Sequence, residues 1–313
     1  MSDAGTGGAL KISAIVCTFN RADVLGDCLA ALEVQSLDAE AFEVIIVDNA
    51  STDDTAGLAD AYVSRNPNFK VVREEKQGLA AARNRGMREA TSAIAAFTDD
   101  DAIPSVGWLE QILQQFEGLD EKTAAVGGEI DPVWEIERPK WLVDRLLHPL
   151  SVSLHWSDSA RYLQDDEWLC EANSAYRIAP VVERGGFPEH LGRIGANLLS
   201  GENAVNSLLL RDGFKFFFDP SIRVRHQIPA SRMTRSWFRR RLFWQGVTTY
   251  FVHKFMRENA CEVKNWVELE LPLNEEAWLG LFGDDSESSF QHSIGQLYNL
   301  GYLLASQNLL SGR

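Results

Sequence analysis

Short apolar runs alternate with stretches in which apolar residues recur every three or four positions, and this alternation organises roughly the first 130 residues. Ile12 to Cys17 is a nearly continuous apolar run of strand length, the pattern of a strand covered on both faces. Val24, Leu25, Cys28, Leu29 and Leu32 follow at helical spacing. Val44 to Val47 repeats the strand signal and ends in Asp48, after which Ser51 and Asp54 fit a capping box for a helix reaching about Ser64. Lys70 to Arg73 predicts a third strand, Ala80 to Ala90 is rich in good helix formers, and Ile94 to Thr98 predicts a fourth strand. Val106 to Phe116 predicts another helix, and Ala124 to Ile130 another strand, in which Gly127 and Gly128 permit close backbone approach. Strands alternating with helices imply an α/β fold: a doubly wound, mainly parallel central sheet with helices on both faces and right-handed crossovers.

From Asp131 to Glu167 the periodicity breaks down, as in a substrate loop. Regular signals then return. Tyr176 to Ile178 is strand-like, Gly185 and Gly186 mark a turn, Glu202 to Arg211 has a helical pattern, and Phe214 to Phe218 is again strand-like. After Ser231 the segment SWFRRRLFWQG mixes aromatic and arginine residues and leads into a helical tail with Trp266, Trp278 and Leu297 to Leu304. The expected organisation is a glycine-rich mobile tail at 1–9, a main domain at 10–230, and a helical extension at 231–313 packed on it.

Composition narrows the function classes. With 45% hydrophobic and 24% charged residues in 313, the chain has the make-up of an ordinary folded protein with a substantial core. A formal charge of -15 disfavours nucleic acid as a partner, because phosphate backbones call for a clustered basic surface. Arg232, Arg235, Arg239, Arg240 and Arg241 are the local exception, a segment able to attract a phosphorylated ligand or the anionic face of a membrane. Cys17, Cys28, Cys170 and Cys261 form no CxxC pair or zinc-like spacing. The start lacks signal-peptide character and no apolar stretch is long enough to span a bilayer, so a cytoplasmic protein, with peripheral contact at the inner membrane face through 232–241, is expected.

Polar residues collect where the predicted parallel strands end: Thr18, Asn20 and Arg21 after the first, Asp48 and Asn49 after the second, and Asp99, Asp100 and Asp101 after the fourth. Open α/β sheets bind ligands at that edge. Two carboxylates one residue apart can hold a divalent cation, which in turn can hold a diphosphate. A dinucleotide site would need GxGxxG after the first strand, and CTFNRAD has no glycine, which disfavours NAD.

The blocks AIVCTFNRADVLGDCL, VIIVDNASTDDT, GLAAARNRGM, FTDDDAIPSVGWL, EANSAYR, GGF and SGENAVNSLLLRDG, in this order over roughly residues 10–230, resemble glycosyltransferase family 2, inverting enzymes with the GT-A fold. The resemblance implies a nucleotide-sugar donor, UDP-linked by expectation, and a saccharide, lipid-linked or small-molecule acceptor. It implies that Thr18, Asn20, Arg21 and Asn49 lie beside the nucleotide sugar, that Asp48 accepts a hydrogen bond from the base, that Arg83 lies near base or phosphate, and that Asp99 contacts the ribose. Asp101 is implied to bind Mn²⁺ or Mg²⁺, with Asp100 shared between metal and nucleotide sugar and His226 a further metal ligand.

Members usually carry Gly-Glu-Asp where this chain has Gly201, Glu202 and Asn203; an amide cannot act as a base, which makes Glu202 the implied catalytic base. The QxxRW signature of processive relatives is absent, which implies transfer of a single sugar. The alternatives are a sugar-phosphate nucleotidyltransferase, whose glycine-rich signature should follow the first strand, and a catalytically silent nucleotide-sugar binding protein.

Overall fold

A computed structural model describes residues 11–152, 155–164, 167–191, 201–263 and 287–310; the expected tail at 1–9 and Trp266 and Trp278 lie outside these. Four strands open the fold, β1 (Ile12–Thr18), β2 (Phe42–Asp48), β3 (Phe69–Arg73) and β4 (Ile94–Asp99), connected by α1 (Leu25–Glu33), α2 (Thr55–Val63) and α3 (Leu79–Glu89). They pair in parallel in the order β3-β2-β1-β4, with Thr18 opposite Asp48 and Cys17 opposite Asp99. That register brings three carboxyl-terminal strand ends to one level, so the polar residues after them share an edge.

Both faces of this half-sheet are covered, which explains its unbroken apolar strands. Ile12, Ala14 and Val16 of β1, with Val44 and Ile46 of β2, meet Leu25, Cys28, Leu29 and Leu32 of α1. The intervening Ile15, Ile45 and Val47 meet Ala80, Ala82 and Met87 of α3 on the other face. Gly86 lets α3 lie directly on β1, because a Cβ there would overlap the Ile15 side chain. The capping box predicted before α2 does not form: Asp54 makes no side-chain cap, and Ser51 Oγ instead accepts from Asn20 N at 3.0 Å. Asn20, held at φ 53, needs an acceptor for its N–H there, and Ser51 supplies it.

The other half of the sheet is mixed rather than parallel. After β4 the chain turns sharply through Asp100 and Asp101 into β5 (Ala102–Pro104), then α4 (Trp108–Gly118), β6 (Thr123–Trp134), β7 (Arg161–Tyr162), β8 (Ser174–Arg177), α5 (Ile178–Glu183), α6 (Glu202–Arg211) and β9 (Lys215–Ile228). β8 lies antiparallel between β4 and β6, β9 runs parallel to β6, and β5 and β7 pair antiparallel with β9. Gly127 and Gly128 do admit close backbone approach: Cβ atoms there would run into the carbonyl oxygens of Asn173 and Ile222.

The C-terminal part contributes α7 (Arg235–Glu258), capped by Thr234 Oγ1 accepting from Trp237 N at 3.2 Å, and α8 (Glu287–Ser306). Phe238 and Phe290 from these helices join Ile130, Leu142, Leu146 and Ile228 in one core cluster, so the helices are continuous with the sheet's own packing. No helix among the described residues is long and apolar enough to cross a membrane.

Candidate active site

A cavity of about 490 Å³ opens where the ends of β1, β2 and β4 meet α3, α6 and the start of α7. At its floor, Asp101 is 5% exposed and accepts from three directions. His226 Nε2 lies 2.9 Å from Asp101 Oδ1, and Arg232 Nη2 (3.1 Å) and Arg21 Nη2 both reach Oδ2. The sheet makes this meeting possible, since Ala102, the residue after Asp101, pairs with His226 across the β5–β9 ladder. Asp100 sits beside them, 3.4 Å from Arg21 Nε.

The carboxyls of this turn are held in different states. Burial first, and then the negative charge of Asp101, pushes Asp100 up to about 7. Burial acts on Asp101 too, but the His226 hydrogen bond and charge and the guanidiniums of Arg232 and Arg21 outweigh it and hold that carboxyl well below the usual range. His226, pulled down by burial, is raised on balance by the same Asp101 contact.

Ligand atoms of Asp99, Asp101 and His226 all lie within 4.8 Å of one another, a spacing that fits one divalent cation. The donor set fits as well: two carboxylates and an imidazole whose buried Nδ1 makes no hydrogen bond among the described residues.

Higher in the cavity, Arg83 is 6% exposed and stands between carboxylates, with Nη2 3.8 Å from Asp99 and Nη1 3.6 Å from Glu202. Burial alone would lower its affinity for the proton, but Glu202, Glu171 and Asp99 together raise it, so the guanidinium stays charged. Glu202 is the first residue of α6, lines the cavity and keeps 22% of its side chain exposed. Asn203 turns outward and is exposed.

Thr18, Arg21, Asn49, Arg83, Asp99, Asp100, Asp101, Glu202 and His226 thus line one cavity. Asn20 and Asp48 do not. The Asn20 side chain accepts from Thr52 N at 2.7 Å and so ties the loop after β1 to that after β2. Asp48, 2% exposed, accepts from Ser51 N and Arg73 Nη1, both at 2.9 Å, behind the wall that Asn49 forms. Asn49 shapes the rim, accepting from Gly78 N and donating to the carbonyls of Glu74 and Lys76 ahead of α3.

The cavity also contains Glu171 and Trp237, to which sequence reading gave no role in the site, and Arg232 and Arg241, which it gave only as part of a segment able to attract a phosphorylated ligand or a membrane. Glu171 stood inside the EANSAYR block as its only acidic residue, and that was its one visible signal. The arginines belonged to the basic segment, but only the chain path after β9 turns them inward.

The family model of glycosyl transferase family 2 matches residues 13–173, more than half of the chain. The chain belongs to this family. Among its relatives, glucosyl-dolichyl phosphate glucuronosyltransferase of Haloferax volcanii is 22% identical over 241 residues, 76% of this chain and 75% of that protein. Glycosyltransferase AglE of the same organism is 33% identical over 121 residues, 38% of this chain and 39% of the relative.

Solved structures agree on the fold. The mannosyltransferase PcManGT of Pyrobaculum calidifontis, in complex with GDP-Man and Mn²⁺, superposes with TM-score 0.60 at 18% identity over 95% of this chain and 87% of its own. S. aureus TarS 1-349 in complex with UDP does so with TM-score 0.56 at 16% identity over 96% and 92%. This family-2 transferase is an enzyme of the glycosyltransferase class built on the GT-A type of α/β fold.

Proposed function

We infer that this transferase is metal-dependent and inverting, and moves one sugar from a UDP-linked donor to an acceptor hydroxyl on a saccharide, a lipid carrier or a small molecule. The observation that carries the reading is one cavity holding the Asp99, Asp101 and His226 cluster and Glu202, with Arg83 between them. In this reading residues 10–230 form the transferase domain, and the extension at 231–313 completes the cavity wall through Arg232, Trp237 and Arg241.

Asp101 and His226, joined by Asp99 in place of the ribose contact expected of it, would hold Mn²⁺ or Mg²⁺, which when bound neutralises charge developing on the departing diphosphate. Arg21 and Arg232, already turned to Asp101, lie where they can pair with phosphate oxygens. The Glu202 carboxylate takes the proton of the acceptor hydroxyl as its oxygen bonds to the anomeric carbon. The bond from that carbon to the phosphate oxygen breaks, and its electron pair leaves with the nucleoside diphosphate. Attack opposite the leaving group inverts the anomeric centre. Arg83 Nη1 lies 3.6 Å from Glu202, and the part of that side chain still in contact with water offers the proton a way out after transfer.

The inward course of Arg232 and Arg241 favours a phosphorylated ligand over a membrane surface as the object of the arginine segment. Arg235 and Arg239, half-buried, lie over the rings of Trp141 and Phe290, while Arg240 is exposed.

The test is nucleoside diphosphate release with Mn²⁺ across a panel of UDP- and GDP-linked donors. Asp101→Ala is expected to abolish it, and Glu202→Gln to lower it by about 10² to 10⁴. Activity surviving both substitutions overturns the mechanism. Metal-dependent donor binding without turnover on any acceptor or water would reveal a silent binding protein, and pyrophosphate formed from a nucleoside triphosphate and a sugar phosphate would reveal a nucleotidyltransferase.

A further inference from the structure

Glu171 lines the cavity away from the Asp99 to Asp101 turn, and the transfer chemistry leaves it without work. It opens the short 3-10 turn Glu171–Asn173 that leads into β8, is 3% exposed, and lines the cavity wall. Among the described residues, the charged and titratable groups facing it are Arg83 on α3, Glu202 on α6, Tyr176 on β8 and the neighbouring Cys170. A single guanidinium therefore serves Glu171, Glu202 and Asp99 together. Glu202 and Asp99 keep part of their surface in water whereas Glu171 is buried, so of the three it is the carboxyl for which an uncompensated charge is most costly. Burial first, and then the charge of Glu202, pushes Glu171 up to about 8, which marks it as the carboxyl that keeps its proton.

Hydrogen-bond geometry fits the same state and shows what the carboxyl holds. Tyr176 Oη lies 3.0 Å from Glu171 Oε1 and 3.2 Å from Asn206 Oδ1, and all three side chains are buried. A phenol has one proton and can donate to only one of the two oxygens. With Glu171 as the acid, its proton goes to Tyr176 Oη, the phenol's proton goes to Asn206, and every member of the chain is satisfied. With Glu171 ionised, the phenol would have to donate to it, and Asn206 could keep its bond only by turning its amide to donate from Nδ2 to Tyr176 Oη. Asn206 stands one helical turn after Glu202 on the same face of α6, so whatever fixes Asn206 also fixes the direction of Glu202.

We propose that Glu171 is a positioning residue whose neutral carboxyl anchors the chain Glu171–Tyr176–Asn206 and thereby holds α6 against β8 with Glu202 aimed at the acceptor hydroxyl. This rests on Glu202 being the proton acceptor.

Steady-state nucleoside diphosphate release by Glu171→Gln, Glu171→Leu, Tyr176→Phe and Glu202→Gln, from about pH 6 to about pH 9.5, tests it. The amide of Glu171→Gln can donate to Tyr176, so its kcat stays within about threefold of the wild type. Glu171→Leu and Tyr176→Phe lower kcat by about ten- to a hundredfold with the donor KM unchanged, as expected of a misaimed base. The wild-type rate falls as pH rises past about 8 and Glu171 ionises, a loss absent from Glu171→Gln. Glu171→Gln as inactive as Glu202→Gln overturns the proposal and leaves Glu202 as base. An inactive Glu171→Gln beside an active Glu202→Gln overturns both by making Glu171 the proton acceptor. Undiminished kcat in Glu171→Leu and Tyr176→Phe also overturns it, and should Glu171→Leu fail to fold, the pH profile of Glu171→Gln decides.

Discussion

One buried amide joins three elements of the mixed half-sheet. Asn173, 1% exposed, donates from Nδ2 to the carbonyls of Glu129 and Ile222, both at 2.8 Å, and accepts from Trp108 Nε1 at 2.8 Å. Its three bonds close the seam between β6, β9 and α4, behind the turn that carries Glu171. Asn173→Ala would leave an indole N–H and two carbonyls buried without partners, so it is expected to cost about 3–5 kcal/mol, read as a fall in the denaturant midpoint at constant m. Asn173→Asp retains the shape but replaces the donor by an acceptor facing two carbonyls, and should be no milder. At the cavity floor, Arg232→Ala removes a cation 3.1 Å from Asp101. If Arg232 serves the diphosphate, donor KM rises about tenfold, equivalent to about 1.4 kcal/mol, and product inhibition by UDP weakens in parallel. A changed melting temperature with unchanged KM would show that the arginine only supports Asp101. The Asp99 to Asp101 turn stood out in the sequence, because it follows a predicted buried strand at the edge where Thr18, Arg21, Asp48 and Asn49 also follow strand ends. Glu171 did not, since its meaning depends on burial beside Glu202, a residue 31 positions away that no local pattern connects to it.

At the scale of elements, what could be read depended on whether a segment's partners were periodic. β1 to β4 and their helices follow the expected path to within a few residues, because both faces of each strand are covered and the apolar run is the strand itself. β6 and β9 extend further than their apolar cores, to Trp134 and Ile228, since they are held by pairing with each other through polar positions such as Glu129, Asp131, Arg223 and Arg225. Neither the mixed sheet order nor the antiparallel β8 left a trace in periodicity, because strand direction is fixed by long-range connections. The α7–α8 pair was likewise visible only as helix-like composition. Its close contact rests on Gly246 and Gly301: a Cβ on the first would overlap the carbonyl oxygen of Tyr298, and one on the second that of Phe243. Gly246→Ala sets two effects against each other. Helix propensity favours alanine by about 1 kcal/mol, whereas driving apart two backbones that touch costs about 1–3 kcal/mol or more. Sterics should win, because the obstructing atom is backbone and cannot rotate away. The expected result is a lowered melting temperature, and a variant as stable as the wild type would show that the helices do not approach so closely.

The whole molecule carries its acidity unevenly, and the carboxyls that matter most for pH are the buried ones. Glu171 is raised to about 8 and Asp100 to about 7, in both cases by burial first and a neighbouring carboxylate second. In the unfolded chain both ionise near 4, so between about pH 5 and pH 8 the folded protein binds more protons than the unfolded one. The contribution of these two carboxyls to stability falls as pH rises through that window, because the slope of unfolding free energy with pH is proportional to protons bound unfolded minus protons bound folded; His148 and His253, lowered by burial, act in the opposite sense. Asp101 has the opposite sign: its lowered pKa stabilises the fold above the unfolded value and that contribution is lost only on strong acidification. The metal-free protein should therefore melt on the order of 5 °C lower at about pH 8.5 than at about pH 6. Glu171→Gln removes its share of the slope and flattens the curve between these two pH values. Saturating Mn²⁺ acts on the Asp100 and Asp101 side alone, favouring ionised carboxyls there, and should raise the melting temperature more at about pH 8.5 than at about pH 6. Differential scanning fluorimetry of the wild type and Glu171→Gln, each with Mn²⁺ and with chelator, separates the two carboxyl groups. A metal-free wild type whose melting temperature rises across the window would mean that Glu171 and Asp100 are both ionised in the folded protein.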